Sequence, residues 1–291
     1  MTIVQVNHLE NYQNLNKSKK LNDDQFYALA HYLKKKYGLN IPFSKKMMIE
    51  SRLQKRLHLL GQPSFASYLK FIFEQSSKIE YNNFIDLVTT HKTYFFREDY
   101  QFEFLKNSLP LYFQQSGNKK RLNVWSSGCS TGEEVYSIGM IMNEFREKNY
   151  HADFHIIGTD VSVPSLQKAA KAVFQVKELE YLPEHLKDKY LDPILEGGEQ
   201  QLKFNNREVS SRIKLGALNL NNSNYNLPVN FDFIFCRNVI IYFDMPTQHA
   251  VLKKLVDKLK PGGFLFLGHS ESAIGTNLPI KSIRPTIYQK I

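Results

Sequence analysis

Glu133 and Glu134 stand side by side directly after Gly132, and a third acid, Asp160, closes an apolar run 32 residues beyond Gly128 (160 − 128). Carboxylates in such places accept hydrogen bonds from hydroxyls and favour cations, and they repel phosphate. The stretch from Leu122 to Met142, LNVWSSGCSTGEEVYSIGMIM, reads as strand, glycine turn and helix. Leu122, Val124 and Trp125 form the apolar run, Gly128 and Gly132 punctuate the turn, and Val135, Ile138, Ile141, Met142 and Phe145 recur at helical spacing. A dinucleotide would lay its pyrophosphate on that helix N-terminus, where free N–H groups and the macrodipole favour negative charge. Two carboxylates already occupy it. The spacing also departs from GxGxxG, whose acid follows about 20 residues later. S-adenosylmethionine, with a ribose diol, a sulfonium and no phosphate, suits these acids better than NAD. An acidic first turn also stabilises an ordinary helix, so the segment alone leaves both readings open.

Acids at strand ends act together only if a sheet brings those ends together. The Leu122 segment predicts the opening βα unit of an open α/β sheet, with its ligand at the carboxyl end of the strands. FHIIGTD predicts a second strand ending at Asp160, and Val163 to Phe174 its crossover helix. Between about 177 and 216 the rhythm breaks. Gly197 and Gly198 precede alternating segments, QLKFN and RIKLG, which predict a small antiparallel excursion inserted into the sheet. FDFIFC then reads as a buried strand, Pro246 to Leu259 as a helix, PGG as a turn into FLFLG, and TIYQKI as a closing edge strand.

The first 90 residues differ in kind. Residues 1 to about 20, rich in Asn, Gln and Lys, lack periodicity and read as a flexible tail. From residue 21 to 90 the pattern is helical. Phe26, Leu29, Leu33 and Tyr37 share one face that Gly38 ends; Ile49, Leu53, Leu57 and Leu60 mark a second helix, from near Ser44 to Gly61; two more follow at Phe65 to Phe73 and Ile79 to Val88. The second helix carries Lys45, Arg52 and Arg56 on one stripe beside its apolar face, with Lys55 nearby.

The 291 residues suffice for one or two domains with a sizeable core. No apolar run approaches the roughly 20 residues of a membrane span, and no signal-peptide core is present, so a cytoplasmic protein without direct membrane insertion is expected. Two cysteines, Cys129 and Cys236, offer neither a disulfide framework nor metal-ligand spacing. The net charge of +10, from 38 Lys plus Arg against 28 Asp plus Glu, favours an acidic partner without naming it.

GCSTGEE, GTD, ALNL and CRNVIIYF would converge at the strand ends. With TTHKTYFFRED, Thr89 to Asp99, the basic helix SRLQKRLHLLG and the late GHSES, they resemble the CheR family, the chemotaxis receptor glutamate O-methyltransferases. The resemblance runs from about residue 20 to the C-terminus in family order. It implies a Rossmann-like S-adenosylmethionine methyltransferase sheet over residues 91–291 with a small antiparallel β insertion, preceded by an all-α domain over residues 21–90 that recognises the receptor. Carried over by position, it implies that Thr93 and Arg97 reach the cofactor's methionyl end and that Glu134 is the acid of the turn. Asp160 corresponds to the acid on the ribose hydroxyls, a role its strand-end position supports independently. Asn219 and Leu220 match the pair beside the adenine, Arg237 and Asn238 the pair after the fourth strand, and Tyr242 a tyrosine by the methyl group. His91 stands where many members have Asn; it still offers a hydrogen bond, with a pH-dependent charge.

The implied reaction transfers a methyl group to a receptor glutamate, giving a glutamyl methyl ester and S-adenosylhomocysteine. Arg97 and Tyr242 are then the expected catalytic residues, orienting an incoming carboxylate that needs no base. Lys45, Arg52, Lys55 and Arg56 would complement the acidic helices of methyl-accepting chemotaxis receptors. The resemblance therefore implies a cytoplasmic monomer recruited to membrane receptor arrays, binding no nucleic acid. Two rivals stand beside it: a nucleic-acid methyltransferase, favoured by the charge, and a non-catalytic signalling module that keeps the cofactor fold. Phe95 and Phe96 are expected to be packing residues, Cys129 and Cys236 inert buried thiols at the ends of neighbouring strands, and His269 a satisfied structural histidine.

Overall fold

The computed structural model describes residues 20–115 and 121–291, in two compact units that divide between Thr90 and His91. The tail expected over residues 1–20 lies, Lys20 apart, outside the described residues.

The first unit is helical. Helix α1, Asp23–Tyr37, starts at a reciprocal cap in which Asn22 Oδ1 accepts from the Gln25 N–H at 2.8 Å while Gln25 Oε1 accepts from the Asn22 N–H at 3.1 Å. It ends where Gly38 takes φ +74°, and Phe26, Leu29, Leu33 and Tyr37 are buried. Helix α2, Lys46–Leu59, follows a 3-10 turn at Phe43–Lys45 and buries Ile49, Leu53 and Leu57. Leu60, expected inward, is instead 38% exposed, because the helix stops at Leu59 and the chain turns at Gly61. Helices α3, Phe65–Phe73, and α4, Lys78–Val88, are capped by the hydroxyls of Ser64 and Ser77.

The second unit is a seven-stranded sheet covered by helices. Helix α5, Asp99–Gln115, leads in and buries Phe102, Leu105, Leu109, Tyr112 and Phe113. Strand β1, Arg121–Ser126, helix α6, Glu133–Lys148, strand β2, Asp153–Asp160, and helix α7, Val163–Lys171, then alternate. Strands β3, Val173–Gln175, β4, Leu191–Glu196, and β5, Glu199–Phe204, form a separate antiparallel sheet in the order β3-β5-β4, with helix α8, Glu184–Tyr190, before β4. Helix α9, Arg207–Ser210, precedes β6, Ile213–Ala217. Strand β7, Phe231–Cys236, helix α10, Met245–Lys258, and strands β8, Leu259–Leu267, β9, Ile280–Arg284, and β10, Ile287–Lys290, complete the chain.

The main sheet runs β6-β2-β1-β7-β8-β10-β9, parallel through its first five strands and antiparallel at β10. All six residues of β7 are buried, as a central strand covered on both faces requires. Stacked rings weld it to its neighbour: Phe235 and Phe266 lie 4.2 Å apart at 3°.

Three sequence expectations are corrected. RIKLG does not belong to the inserted sheet; it is β6 and pairs in parallel with β2. Alternating apolar residues fit either sheet, and the choice falls to packing: Ile213 and Leu215 lie against the main core. The insertion therefore occupies about 173–204 rather than 177–216, and Phe174 sits in β3 because α7 ends at Lys171, where Ala172 turns left-handed. TIYQKI is not the edge, since β10 pairs with both β8 and β9, leaving β9 outermost.

Candidate active site

The loops after β1, β2, β6, β7 and β8 meet at the carboxyl ends of the parallel strands. Asp160 ends β2 there, partly buried. The Ser130 N–H donates to its Oδ2 at 2.8 Å and the Ser162 N–H to its Oδ1 at 2.9 Å. Burial holds its pKa above the ordinary carboxylate value, against the pull of these donors and of nearby His91. The Asp160 carbonyl accepts from the Leu218 N–H at 3.0 Å, which draws the ALNL segment to the same strand end. Asn219 Oδ1 accepts there from the Asn221 N–H at 2.9 Å, and the buried Leu220 gives its carbonyl to the Tyr225 hydroxyl and to Lys254 Nζ. His91 Nδ1 lies 3.1 Å from Ser165 Oγ, and its carbonyl accepts from Ser130 Oγ at 3.3 Å.

The two acids of the glycine turn part company. Glu134 turns to the strand ends: Ser126 Oγ donates to its Oε1 at 2.6 Å, and Arg237 Nε lies 3.6 Å from its Oε2. Burial raises its pKa despite Arg237. Glu133 is buried elsewhere, accepting from Thr131 Oγ1 at 2.7 Å with Glu178 and Lys168 as charged neighbours, and burial pushes its pKa up to about 7.

Arg237 is the centre of the cluster. Its guanidinium is buried over the Phe102 ring, 5.1 Å from the centroid, between Glu134 and Glu98, whose Oε2 is 3.8 Å from Nη2. It donates to the Arg97 carbonyl. Arg97 itself donates from Nη1 to the Lys92 carbonyl at 2.8 Å and lies over Tyr94. Glu98 Oε1 accepts from Asn238 Nδ2 at 3.3 Å and from the His269 N–H at 3.1 Å. Thr93 is half-buried on the same segment, and Tyr242, also half-buried, ends the 3-10 turn Ile240–Tyr242 after β7. The structure thus gathers Arg97, Glu134, Arg237 and Asn238 in one network, and Asp160, His91 and the 218–220 segment in another beside it. Sequence reasoning passed over Glu98 and Glu271, although the acid following Arg97 in FFRED and the one closing GHSE were visible signals.

Other expectations divide. Phe95 is core and Phe96 packs against it. Cys236 ends β7, but Cys129 lies in the turn beyond β1; both are free, buried, and raised in pKa by burial, hence unreactive. His269 is exposed rather than a satisfied interior group, and its backbone N–H donates to Glu98. Among the described residues no cluster of three His, Cys, Asp or Glu could hold a metal ion.

In the helical unit the basic stripe divides. Arg56 grips the buried Glu80 with Nε at 2.8 Å and Nη2 at 2.5 Å from Oε2, and Tyr68 donates to the same carboxylate. Arg52 donates from Nη1 to the Leu87 and Thr89 carbonyls at 3.0 and 2.9 Å. Both are partly buried, Lys45 is partly buried as well, and Lys55 is exposed. The stripe lies beside the apolar face, close enough for guanidinium arms to reach inward and finish the helix packing.

A cofactor for the strand ends must suit two partly buried carboxylates and a set of buried atoms, Glu98 Oε2 and Arg237 Nε and Nη1, that lack hydrogen-bond partners among the described residues. Hydroxyl donors and a positive centre would offset the burial of Asp160 and Glu134; phosphates would worsen it. S-adenosylmethionine fits these residues. A doubly covered, mostly parallel sheet with acids so placed defines a Rossmann-like S-adenosylmethionine-dependent methyltransferase. Residues 91–288 match the family described as CheR methyltransferase, SAM binding domain, and residues 24–89 its all-alpha domain. The chain belongs to the CheR methyltransferase family, and its cofactor is S-adenosylmethionine. It is 34% identical over 290 residues to the chemotaxis protein methyltransferase of Borreliella burgdorferi, covering 98% of this chain and 100% of that one. The proteins of that name from Klebsiella aerogenes and Escherichia coli are 34% and 33% identical over 253 residues, covering 87% of this chain and 84% and 85% of theirs.

Proposed function

We propose that this enzyme methylates glutamate side chains on the cytoplasmic domain of chemotaxis receptors, producing glutamyl methyl esters for adaptation. One observation carries the reading. The Arg237 guanidinium holds the Arg97 carbonyl, so the segment bearing Arg97 is fastened to the loop that leads to Tyr242. Two groups suited to orienting an incoming carboxylate therefore sit on joined segments beside the cofactor acids.

Bound S-adenosylmethionine supplies an electrophilic methyl group on a sulfonium. Asp160 would accept from the ribose hydroxyls, Thr93 and Arg97 would hold the polar methionyl end with Glu134 as the acid of the turn, and Asn219 with Leu220 would flank the adenine. A glutamate with a reference pKa near 4.3 arrives ionised at neutral pH, so the protein needs no general base. Attack by an anion on a cation disperses charge, which water opposes. The work of Arg97 and Tyr242 is thus to hold the carboxylate in line, at about 3 to 3.5 Å, and to keep water out. Arg97 orients the carboxylate through few contacts, because a tight bidentate grip would blunt its nucleophilicity.

No helix among the described residues is long and apolar enough to cross a membrane, in keeping with an enzyme that visits the cytoplasmic face of receptor arrays. Exposed Lys55 is the part of the basic stripe proposed to meet acidic receptor helices. The test supplies methyl-labelled cofactor with receptor and, separately, with RNA. Base-labile volatile label released from receptor alone is the expected result; label retained on RNA, or transferred to neither, overturns the proposal.

A further inference from the structure

Glu271 is held in this fold by backbone N–H groups from two loops. Its carboxylate is 5% exposed and accepts four backbone N–H groups: Gly268 at 2.6 Å and Asn238 at 2.9 Å on Oε2, Val239 at 2.8 Å and Ile241 at 3.3 Å on Oε1. Three of those donors belong to the loop after β7, and the fourth, Gly268, directly follows β8. Hydrogen bonds to an ionised acceptor are the strong kind, and a buried carboxylate is retained only where such donors converge on it. Burial still holds its pKa above the usual value.

The loop it holds is closely packed and conformationally unusual. Asn238 adopts φ +56°, in the left-handed region. A methyl group on Gly268 would lie 2.6 Å from the Asn238 backbone nitrogen and 2.8 Å from Glu271 Oε2. A methyl group on Gly128 would likewise lie 2.4 Å from Val239 Cγ2. The glycine turn after β1 and the Gly268–Glu271 hook thus clamp Asn238 and Val239. The 3-10 turn bearing Tyr242 starts at the next residue, and the Tyr242 N–H bonds back to the Val239 carbonyl at 3.2 Å.

We propose that Glu271 is a positioning residue for methyl transfer: by binding the Asn238, Val239 and Ile241 amides it fixes where Tyr242 and Asn238 stand at the strand ends. This rests on the function proposed above for Tyr242. Glutamine in its place keeps the shape but turns an amide NH2 toward backbone N–H groups that need an acceptor, so the loop must shift. A displacement of about 1 Å costs on the order of 10²-fold in rate.

Two measurements on the full chain test it. Native-state hydrogen exchange needs no substrate: the amides of Asn238, Val239, Ile241 and Gly268 should be protected in the parent and lose protection selectively in Glu271→Gln, with the rest of the sheet unchanged. Uniform loss across the sheet, or none, overturns the positioning role whatever the substrate proves to be. The second is a double-mutant cycle on methyl transfer. Glu271→Gln should lower kcat about 10²-fold in the parent and far less when Tyr242 is already Phe, because both changes act on one group. Multiplicative losses, with Glu271→Asp giving no partial rescue, overturn it. If exchange behaves as expected while no substrate is methylated, the receptor reading fails and the clamp stands.

Discussion

Arg237 and Glu134 form a buried ion pair, Nε to Oε2 3.6 Å, with side chains only 2% and 13% exposed, and a second carboxylate, Glu98, faces the same guanidinium. Arg237→Met would leave both acids in the interior without their cation. Breaking a buried pair from one side costs about 3–5 kcal/mol. Urea unfolding of the variant should show a loss of that order; a change under about 1 kcal/mol would mean the pair is incidental.

Asp160 accepts from the backbone N–H groups of Ser130, Ser162 and Val161, and a carboxylate's four lone-pair sites leave room for a ligand's hydroxyl. Asp160→Asn keeps the size and removes the charge. A hydrogen bond to a charged group contributes about 1.5–3 kcal/mol, so calorimetry should show S-adenosylhomocysteine binding weakened about 10- to 100-fold. An unchanged dissociation constant would refute the ribose role.

Arg97 is held through its carbonyl, so Arg97→Ala keeps the backbone anchor and deletes only the guanidinium. Together with Tyr242→Phe it should lower methyl transfer by at least about 10²-fold, with circular dichroism unchanged. Near-parental turnover in both variants would remove the assignment.

Glu133 supplies a stability signature. Burial raises its pKa from 4.5 to about 7 in the folded chain, so the folded state holds its proton more tightly than the unfolded one. The stabilisation is fully present below about pH 4.5 and is lost as pH rises to about 7, amounting to about 3 kcal/mol. Glu133→Gln should flatten that part of the profile and melt higher than the parent at pH 8. Parallel melting profiles for the two proteins between pH 5 and 8 would contradict this.

In the helical unit, Arg56→Glu would set a second carboxylate against Glu80, whose side chain is 4% exposed, and should unfold the unit rather than report on a partner. Lys55→Glu, at an exposed position, should leave melting unchanged and slow receptor methylation at low salt, with the deficit shrinking as salt rises. Equal rates at low salt would make Lys55 a solvated surface charge.

Local patterns carried much of this architecture. Phe26, Leu29, Leu33 and Tyr37, bounded by Asn22 and Gly38, specify α1 by periodicity and caps alone. FDFIFC could only be a strand buried on both faces. Where partners had to be chosen, pattern failed: RIKLG alternates equally well for either sheet, and TIYQKI carries nothing to say that IKSIR would cover its outer edge. Helix α5 contains Pro110, a residue type that argues against a helix interior when only the sequence is read.

The sequence by itself determined the chemistry available: acids after a glycine turn and at a strand end, an arginine and a tyrosine on separate motifs, and no phosphate-binding glycine pattern. Residue type and spacing along the chain decide such things. Only the tertiary structure decided what each group is free to do, because that depends on neighbours brought from far along the chain. Glu134 faces the strand ends while Glu133 is buried beside Thr131; Arg52 and Arg56 spend their donors within the helical unit; Glu98 and Glu271, whose partners no local pattern names, tie together loops 140 and 33 residues away. Burial makes the difference, since a charge withdrawn from water must find partners, and the fold determines which it finds.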